Sequence, residues 1–352
     1  MSRQSRKLDH LRFTMELPDG PADSGFGDIT LIHNCLPELA LKDIDLSTSC
    51  AGLSLSHPII INAMTGGSDA VRQVNAELAE FAQATKSVMA VGSQRAALEN
   101  PESIDSYSVV RKVYPDGIFW ANLSAQATVE DAKRAVDMIG AVALQIHLNP
   151  AQELVMGEGD RDFSKFLSRV TLIASGVGVP VIIKEVGFGI AMEQASRLAA
   201  AGVRAIDVGG AGGTNFIAVE AARTDIVLPP ELASWGIPTA ISAVETASVI
   251  DSTVSMIVSG GVRTPLDVVK SLALGGCAVG MASPVLRMTR EAGLAGSVKI
   301  FNDFLDQIRL FMALVGAPSI QALHQIPLVI TGRTADWLAV RGIDVRRFGI
   351  RG

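Results

Sequence analysis

The chain has 352 residues, 48% hydrophobic, 19% charged and 5% aromatic, with 33 glycines, which excludes a disordered chain and leaves one large core or two smaller ones. A formal net charge of −6 argues against a nucleic-acid surface but leaves room for small anions held by local groups. Cys35, Cys50 and Cys277 show no CxxC spacing, so a disulfide framework or zinc knuckle is excluded and a reducing, cytoplasmic setting is expected. Residues 1–15 are polar and basic, without the apolar stretch of a secretory signal, and no run reaches the roughly 18 apolar residues of a membrane span. "RQSRK" places Arg3, Arg6 and Lys7 together on this tail, where they are either solvated or directed at a ligand.

In chain order, eight short apolar runs follow, each closed by small polar residues. They are "PIIINAMTGG" from Pro58, "SVMAVGSQR" from Ser87, "GIFWANLS" from Gly117, "VALQIHLN" from Val142, "PVIIKEVGFG" from Pro180, "RAIDVGGAGG" from Arg204, "SMIVSGGVR" from Ser255 and "CAVGMAS" from Cys277. Continuous apolar runs suit strands buried on both faces of a parallel sheet. Helical spacing marks the stretches between them, such as "AVRQVNAELAEFAQAT", "TVEDAKRAVDMI", "AMEQASRLAAAG" and "PLDVVKSLALGG", the last two closing on glycine. Eight β-then-α units predict an α/β chain folded as a (β/α)8 TIM barrel, one domain over 1–352. Its parts are an N-terminal extension at 1–57, a barrel core at 58–290, and C-terminal helices and a tail at 291–352. No GxGxxG opens a helix after the first strand, so a dinucleotide-binding domain has no support. The connection from Gly213 to Ser255 is the longest and contains "WGIPTA", and part of this connection is expected to pack over the site.

Active sites of such barrels sit at the C-terminal strand ends. Thr65, Ser93, Gln94, Arg95, Asn122, His147, Asn149, Lys184, Thr214, Arg263 and Ser283 all fall there. Any one of them is equally a turn residue, but polar groups recur on nearly every strand. The glycine turns "SGGVR" (259–263) and "GMAS" (280–283) follow the last two strands, the usual phosphate position, and Gly261 is expected to leave the anion room. Lys184, closing "PVIIK", needs an anionic partner in the barrel mouth: a reduced flavin, or a neighbouring glutamate. "QIHLNPAQEL" (145–154) puts two glutamines, a histidine, an asparagine and a carboxylate at one strand end.

These residues resemble a family, the type 2 isopentenyl-diphosphate isomerases, FMN-dependent enzymes of TIM-barrel fold. The likeness runs through Arg6, Lys7 and His10, then "AMTGG" (63–67), "VGSQR" (91–95), "WANLS" (120–124), "QIHLNPAQE" (145–153), "KEVGFG" (184–189), "GGTNF" (212–216), "WGIPT" (235–239) and "SGGVR". Ala191 departs from the serine expected there. The resemblance implies an enzyme that interconverts isopentenyl and dimethylallyl diphosphate, with reduced FMN as acid and base, Mg²⁺ on the diphosphate and NAD(P)H as reductant. It implies FMN contacts from Met64, Thr65, Gly66, Ser93, Asn122, Lys184, Thr214, Gly261, Arg263, Ala282 and Ser283. Substrate contacts fall to Arg6, Lys7, Ser93, Gln94, Arg95, His147, Asn149 and Gln152, and Glu153 takes the metal. Gln152, His147 and Lys184 are the expected catalytic residues, and a homo-oligomer, tetramer or octamer, is implied. Two alternatives remain from the residues alone. One is an FMN oxidoreductase of the hydroxy-acid or dihydroorotate kind, for which "KEVG" and "GGTNF" offer no base. The other is a flavin-binding protein without turnover, which leaves "QIHLNPAQE" unexplained.

Overall fold

The computed structural model describes residues 3–224 and 226–351, with the side chains of residues 3–8, 69 and 70 outside the description. All eight apolar runs become parallel strands: β1 (Ile59–Ile61), β2 (Val88–Ala90), β3 (Phe119–Ser124), β4 (Ala143–Leu148), β5 (Val181–Glu185), β6 (Ala205–Asp207), β7 (Ser255–Ser259) and β8 (Ala278–Met281). They pair in that order, and β8 returns to β1 with Val279 opposite Ile59 and Met281 opposite Ile61, which closes the barrel.

Side chains alternate across a strand, so one set of positions faces the helices and the other fills the barrel. Ile59, Ile61, Met89, Leu144, Ile146, Ile183 and Val258 belong to the outer core shared with the helices. Ile60, Val88, Ala90, Trp120, Ala143, Ile182, Ala205, Ile257 and Ala278 form a second cluster inside. Trp120 is the bulkiest fully buried side chain, and the alanines of β2, β4, β6 and β8 leave it space. Below it, a hairpin of Thr48–Cys50 and Leu53–Leu55 adds Cys50 and Leu55 to that cluster and floors the barrel. Two residues further up the same strands the inward positions turn polar: Asn62, Asn122, Gln145, Lys184, Asp207 and Ser259. The period of two thus stacks an amide and charge layer on an apolar one.

Helix starts follow local chemistry. Thr128 and Asp131 form a capping box before the helix Val129–Ile139, and Thr264 and Asp267 form another before Pro265–Ala273. The helix Arg3–Glu16 lies at the C-terminal mouth, where His10, Leu11 and Thr14 face the cavity. Residues Ile29–Leu31 pair antiparallel with Leu328–Ile330, joining the N-terminal extension to the C-terminal tail. The last long helix, Ser283–Leu314, breaks at Gly293, where φ is 62°.

Part of the long connection faces the cavity, but the "WGIPTA" stretch does not. Ile237 N donates to Phe188 O at 2.8 Å, and Ala211 bridges Pro238, so "WGIPTA" packs beside the mouth and lines none of the cavity. Phe216 faces the cavity from this connection instead, and the buried Glu220 one turn further on reaches the cavity-lining Gln152.

Glycine at position 280 is required by this layering, because a Cβ there would fall on the Asn62 amide nitrogen. Gly280→Ala should therefore cost about 1–3 kcal/mol through overpacking, read from denaturant unfolding. A wild-type midpoint and slope would show that Asn62 has room to move.

Candidate active site

A cavity of about 570 Å³ occupies the C-terminal mouth. Of the residues expected to act, Met64, Ser93, Arg95, Asn122, His147, Asn149, Gln152, Glu153, Lys184, Thr214, Gly261, Arg263, Ala282 and Ser283 line it. Its floor is a continuous hydrogen-bonded ladder. Asn62 Nδ2 donates to Asp207 Oδ2 at 2.7 Å, Gln145 Nε2 to Asn62 Oδ1 at 3.0 Å, and Asn122 Nδ2 to Gln145 Oε1 at 3.1 Å. His147 Nδ1 ends the run, 2.9 Å from Asn122 Oδ1. Asp207 is fully buried and also accepts from Ser259 Oγ, while Lys184 Nζ stands 3.4 Å from its Oδ2. The carboxylate beside Lys184 is thus Asp207 of β6 rather than a neighbouring glutamate. Lys184 also donates to Glu185 O at 2.9 Å. An ammonium has three protons, so this arrangement leaves one toward the cavity that Lys184 lines.

The second cluster stands over "NPAQE". Asn149 Nδ2 donates to Gln152 Oε1 (3.2 Å) and to Glu153 Oε1 (3.0 Å), and Asp160 N donates to Glu153 Oε2 at 2.8 Å. Gln152 Nε2 donates to Glu220 Oε1 at 2.8 Å, and His10 Nε2 lies 2.7 Å from the same oxygen. Arg223 Nε holds the other oxygen at 2.7 Å and reaches Glu158 with Nη2. Burial alone would push the Glu220 carboxyl up. The hydrogen bond and charge of His10, with the bonds from Gln152 and Arg223, overcome it and hold the group down at about 2. Glu220 is therefore an anion that fixes which face Gln152 presents.

At the other end, the N–H groups of Gly261 and Val262 have no acceptor among the described residues, and they sit near the start of the helix that opens at Ser283. Thr214 Oγ1 lies 3.0 Å from Ser283 Oγ across this end. Glycine turns beside a helix N-terminus suit a phosphate, so the donor set fits the phosphate of FMN. The backbone itself also requires glycine at position 261. Its φ is +69°, and a Cβ would meet Gly212 O at 2.6 Å and Ser24 Cβ at 3.0 Å. Arg263 is held across the same turns, donating to Gly212 O (2.6 Å) and Gly261 O (3.1 Å), with Asp19 Oδ2 at 3.0 Å from its Nη2.

Three expected contacts lie off the cavity. Gln94 is fully buried, its Nε2 donating to Ala135 O at 2.9 Å and its Oε1 accepting from Asn122 N, so it braces β3 and makes no substrate contact. Gly66 faces the Tyr107 ring, and Thr65 is buried with its backbone oxygen bonded to Gly92 N. The Thr65 hydroxyl has no partner among the described residues. Arg95 lines the mouth but is paired with Glu99 at 2.8 Å. The side chains of Arg6 and Lys7 lie outside the described residues. No group of three or more His, Cys, Asp or Glu is arranged for a metal among the described residues. Glu153 alone thus fits Mg²⁺ only together with phosphate oxygens and water, a common way for this ion to be held. Asp207 and Glu220 are buried acids bonded to cavity-lining side chains that strand and helix patterns did not flag. An acid two places after an inward alanine in "RAIDVGG", and one among apolar residues in "FIAVEAART", were the available signals.

The fold and the glycine turns define an FMN-binding barrel. Residues 152–329 match the family described as FMN-dependent dehydrogenase. Solved structures of similar fold include a mandelate oxidase (17% identity, TM-score 0.64, covering 92% of this chain and 100% of that one) and a Pediococcus acidilactici lactate oxidase (17%, 0.67, 94% and 88%). At such identity they share the barrel alone. The particular relationship comes from full-length relatives named isopentenyl-diphosphate delta-isomerase. One from Geobacillus sp. (strain WCH70) is 49% identical over 100% of both chains, and one from Symbiobacterium thermophilum is 46% identical over 97% of each. The chain belongs to the isopentenyl-diphosphate delta-isomerase family and is an enzyme of that class, which sets the oxidoreductase and non-catalytic alternatives aside.

The depressed Glu220 carboxyl gives a pH signature. A carboxyl held at about 2 against 4.5 stabilises the fold above pH 4.5, and that contribution is lost as pH falls toward 2. The stability gap between wild type and Glu220→Gln should therefore narrow over that window in thermal melts. A gap independent of pH would mean that Glu220 is not held as an anion.

Proposed function

We propose that this chain moves the double bond of isopentenyl diphosphate to give dimethylallyl diphosphate and back, with the diphosphate at Asn149–Glu153 and FMN along the strand ends. The observation that carries the reading is the division of one cavity into a carboxylate–amide end at 149–160 and a glycine-turn end at 213–214, 260–263 and 282–283, with Lys184 between. The reaction forms one C–H bond and breaks another, so no net electrons pass, and NAD(P)H serves only to keep the flavin reduced. Reduced FMN, when bound, supplies the acid–base capacity.

The chain's own residues do the remainder. Lys184 offers positive charge beside the flavin, with Asp207 keeping the buried ammonium balanced. Glu153 shares Mg²⁺ with the diphosphate, and His147, Asn149, Arg95, Arg6 and Lys7 complete its grip. Gln152 is neither acid nor base at neutral pH, but it is locked between Asn149 and anionic Glu220, and so holds the olefin in one place. Leu11, Met64, Phe216 and Leu286 line the same cavity and exclude water from the apolar tail. No described helix is long and apolar enough to cross a membrane. The cysteines are free, which supports a cytoplasmic setting, and exposed Val227 and Trp235 support assembly into a tetramer or octamer.

Glu153→Gln keeps the shape and removes the charge, so its activity should be low at ordinary Mg²⁺ and partly restored by more. Gln152→Ala keeps the metal ligand, so it should lose kcat with little change in KM. Rescue of the Gln152 variant by Mg²⁺, and not of the Glu153 one, would reverse the two roles. Lys184→Ala should still bind oxidised FMN but lose on the order of 10²-fold in turnover. Wild-type turnover and reduction potential in that variant would remove its assignment.

A further inference from the structure

The floor ladder has a direction, because its first member can only accept. Asp207 is a fully buried carboxylate held by Lys184 and Ser259, so Asn62 must turn its NH₂ toward it. Independent support comes from Ala63 N, which donates to Asn62 Oδ1 at 3.0 Å and would have no acceptor if that amide were reversed. With Asn62 so fixed, Gln145 must donate to Asn62 Oδ1 and accept at Oε1. Asn122 must then donate to Gln145 and accept at Oδ1. These amides are fully or almost fully buried, so no solvent can correct a reversed member, and each reversal would set two like groups face to face. The last partner of Asn122 Oδ1 is His147 Nδ1 at 2.9 Å, which must therefore carry a proton.

We propose that Asp207 is a positioning residue that, through Asn62, Gln145 and Asn122, holds His147 as the Nδ1–H tautomer. A neutral ring so fixed has its lone pair at Nε2, the nitrogen the ladder does not use, and cannot donate from there. It donates to a diphosphate oxygen only after gaining a second proton, as the imidazolium, with Nδ1–H still bound to Asn122. The proton comes from solvent, and the new charge lies at the end of a polarised run that begins on a buried anion. This last step rests on the placement of diphosphate beside His147; the tautomer does not.

The test is ¹⁵N NMR of histidine-labelled protein, with His147 picked out of the five histidines by its loss in His147→Gln. Ligand-free protein at a pH where the ring is neutral should show protonated Nδ1 and bare Nε2, the reverse of the form that isolated histidine favours. Bare Nδ1 in wild type overturns the proposal. Gln145→Met cuts the ladder away from the cavity lining. If the variant melts as a folded protein, His147 should shift toward the Nε2–H form, and an unchanged tautomer overturns control by Asp207. Inorganic diphosphate with Mg²⁺ should bring both ring nitrogens to the protonated signature. A ring that stays neutral in saturated protein overturns the imidazolium step. Absence of diphosphate binding to wild type would instead sink the placement of substrate, while the ligand-free spectrum still decides the tautomer.

Discussion

A closed parallel barrel has to fill its own inside, and the rest of this structure depends on how that is done. Every second residue of eight strands points to one axis, so large side chains must be matched by small ones. Here Trp120 takes most of the lower level and alanines of four other strands give way to it. The upper level cannot be filled the same way without closing the site. It is built from amides, a lysine and an aspartate that bond to one another and so form a rigid polar floor.

Buried charge is costly unless paired and hydrogen-bonded, and this chain buries two acids near its site. Asp207 is answered by Lys184, Asn62 and Ser259. Glu220 is answered by His10, Gln152 and Arg223, whose side chains come from the N-terminal helix, the short helix Pro150–Val155 after β4 and its own helix. Each acid orients amides that touch the cavity, one from below and one from the side. Pre-set amides spare the reaction the cost of aligning dipoles. The two acids serve position rather than proton transfer.

The sequence made some of this legible and left the rest hidden for identifiable reasons. The eight strands were readable because two-sided burial leaves uninterrupted apolar runs, and the residues after each run had to face the mouth. "QIHLNPAQE" was readable because so much polarity at one strand end has no packing purpose. Glu220 was hidden because its partner Gln152 is 68 residues away and its own helix looks like an ordinary amphipathic one. Gln94 looked like a mouth residue, but its side chain turns back toward the helix behind β3. The sequence could not show a further constraint on Gly261, since only the fold brings Ser24 and Gly212 against it.

The pairing of Ile29–Leu31 with Leu328–Ile330 has a consequence for how the molecule is made. On the ribosome, the barrel can close once β8 has emerged, because its last partner, β1, is already present. The strand Ile29–Leu31 has nothing to pair with until Leu328–Ile330, some fifty residues later. Domains otherwise tend to settle from the N-terminus as they are synthesised. Here Ile29–Leu31 is paired late, whereas the cavity wall of His10, Leu11 and Thr14 already meets Glu220, which is made before β8. The strand pair is thus a clasp added over a barrel and a mouth wall whose partners are already made.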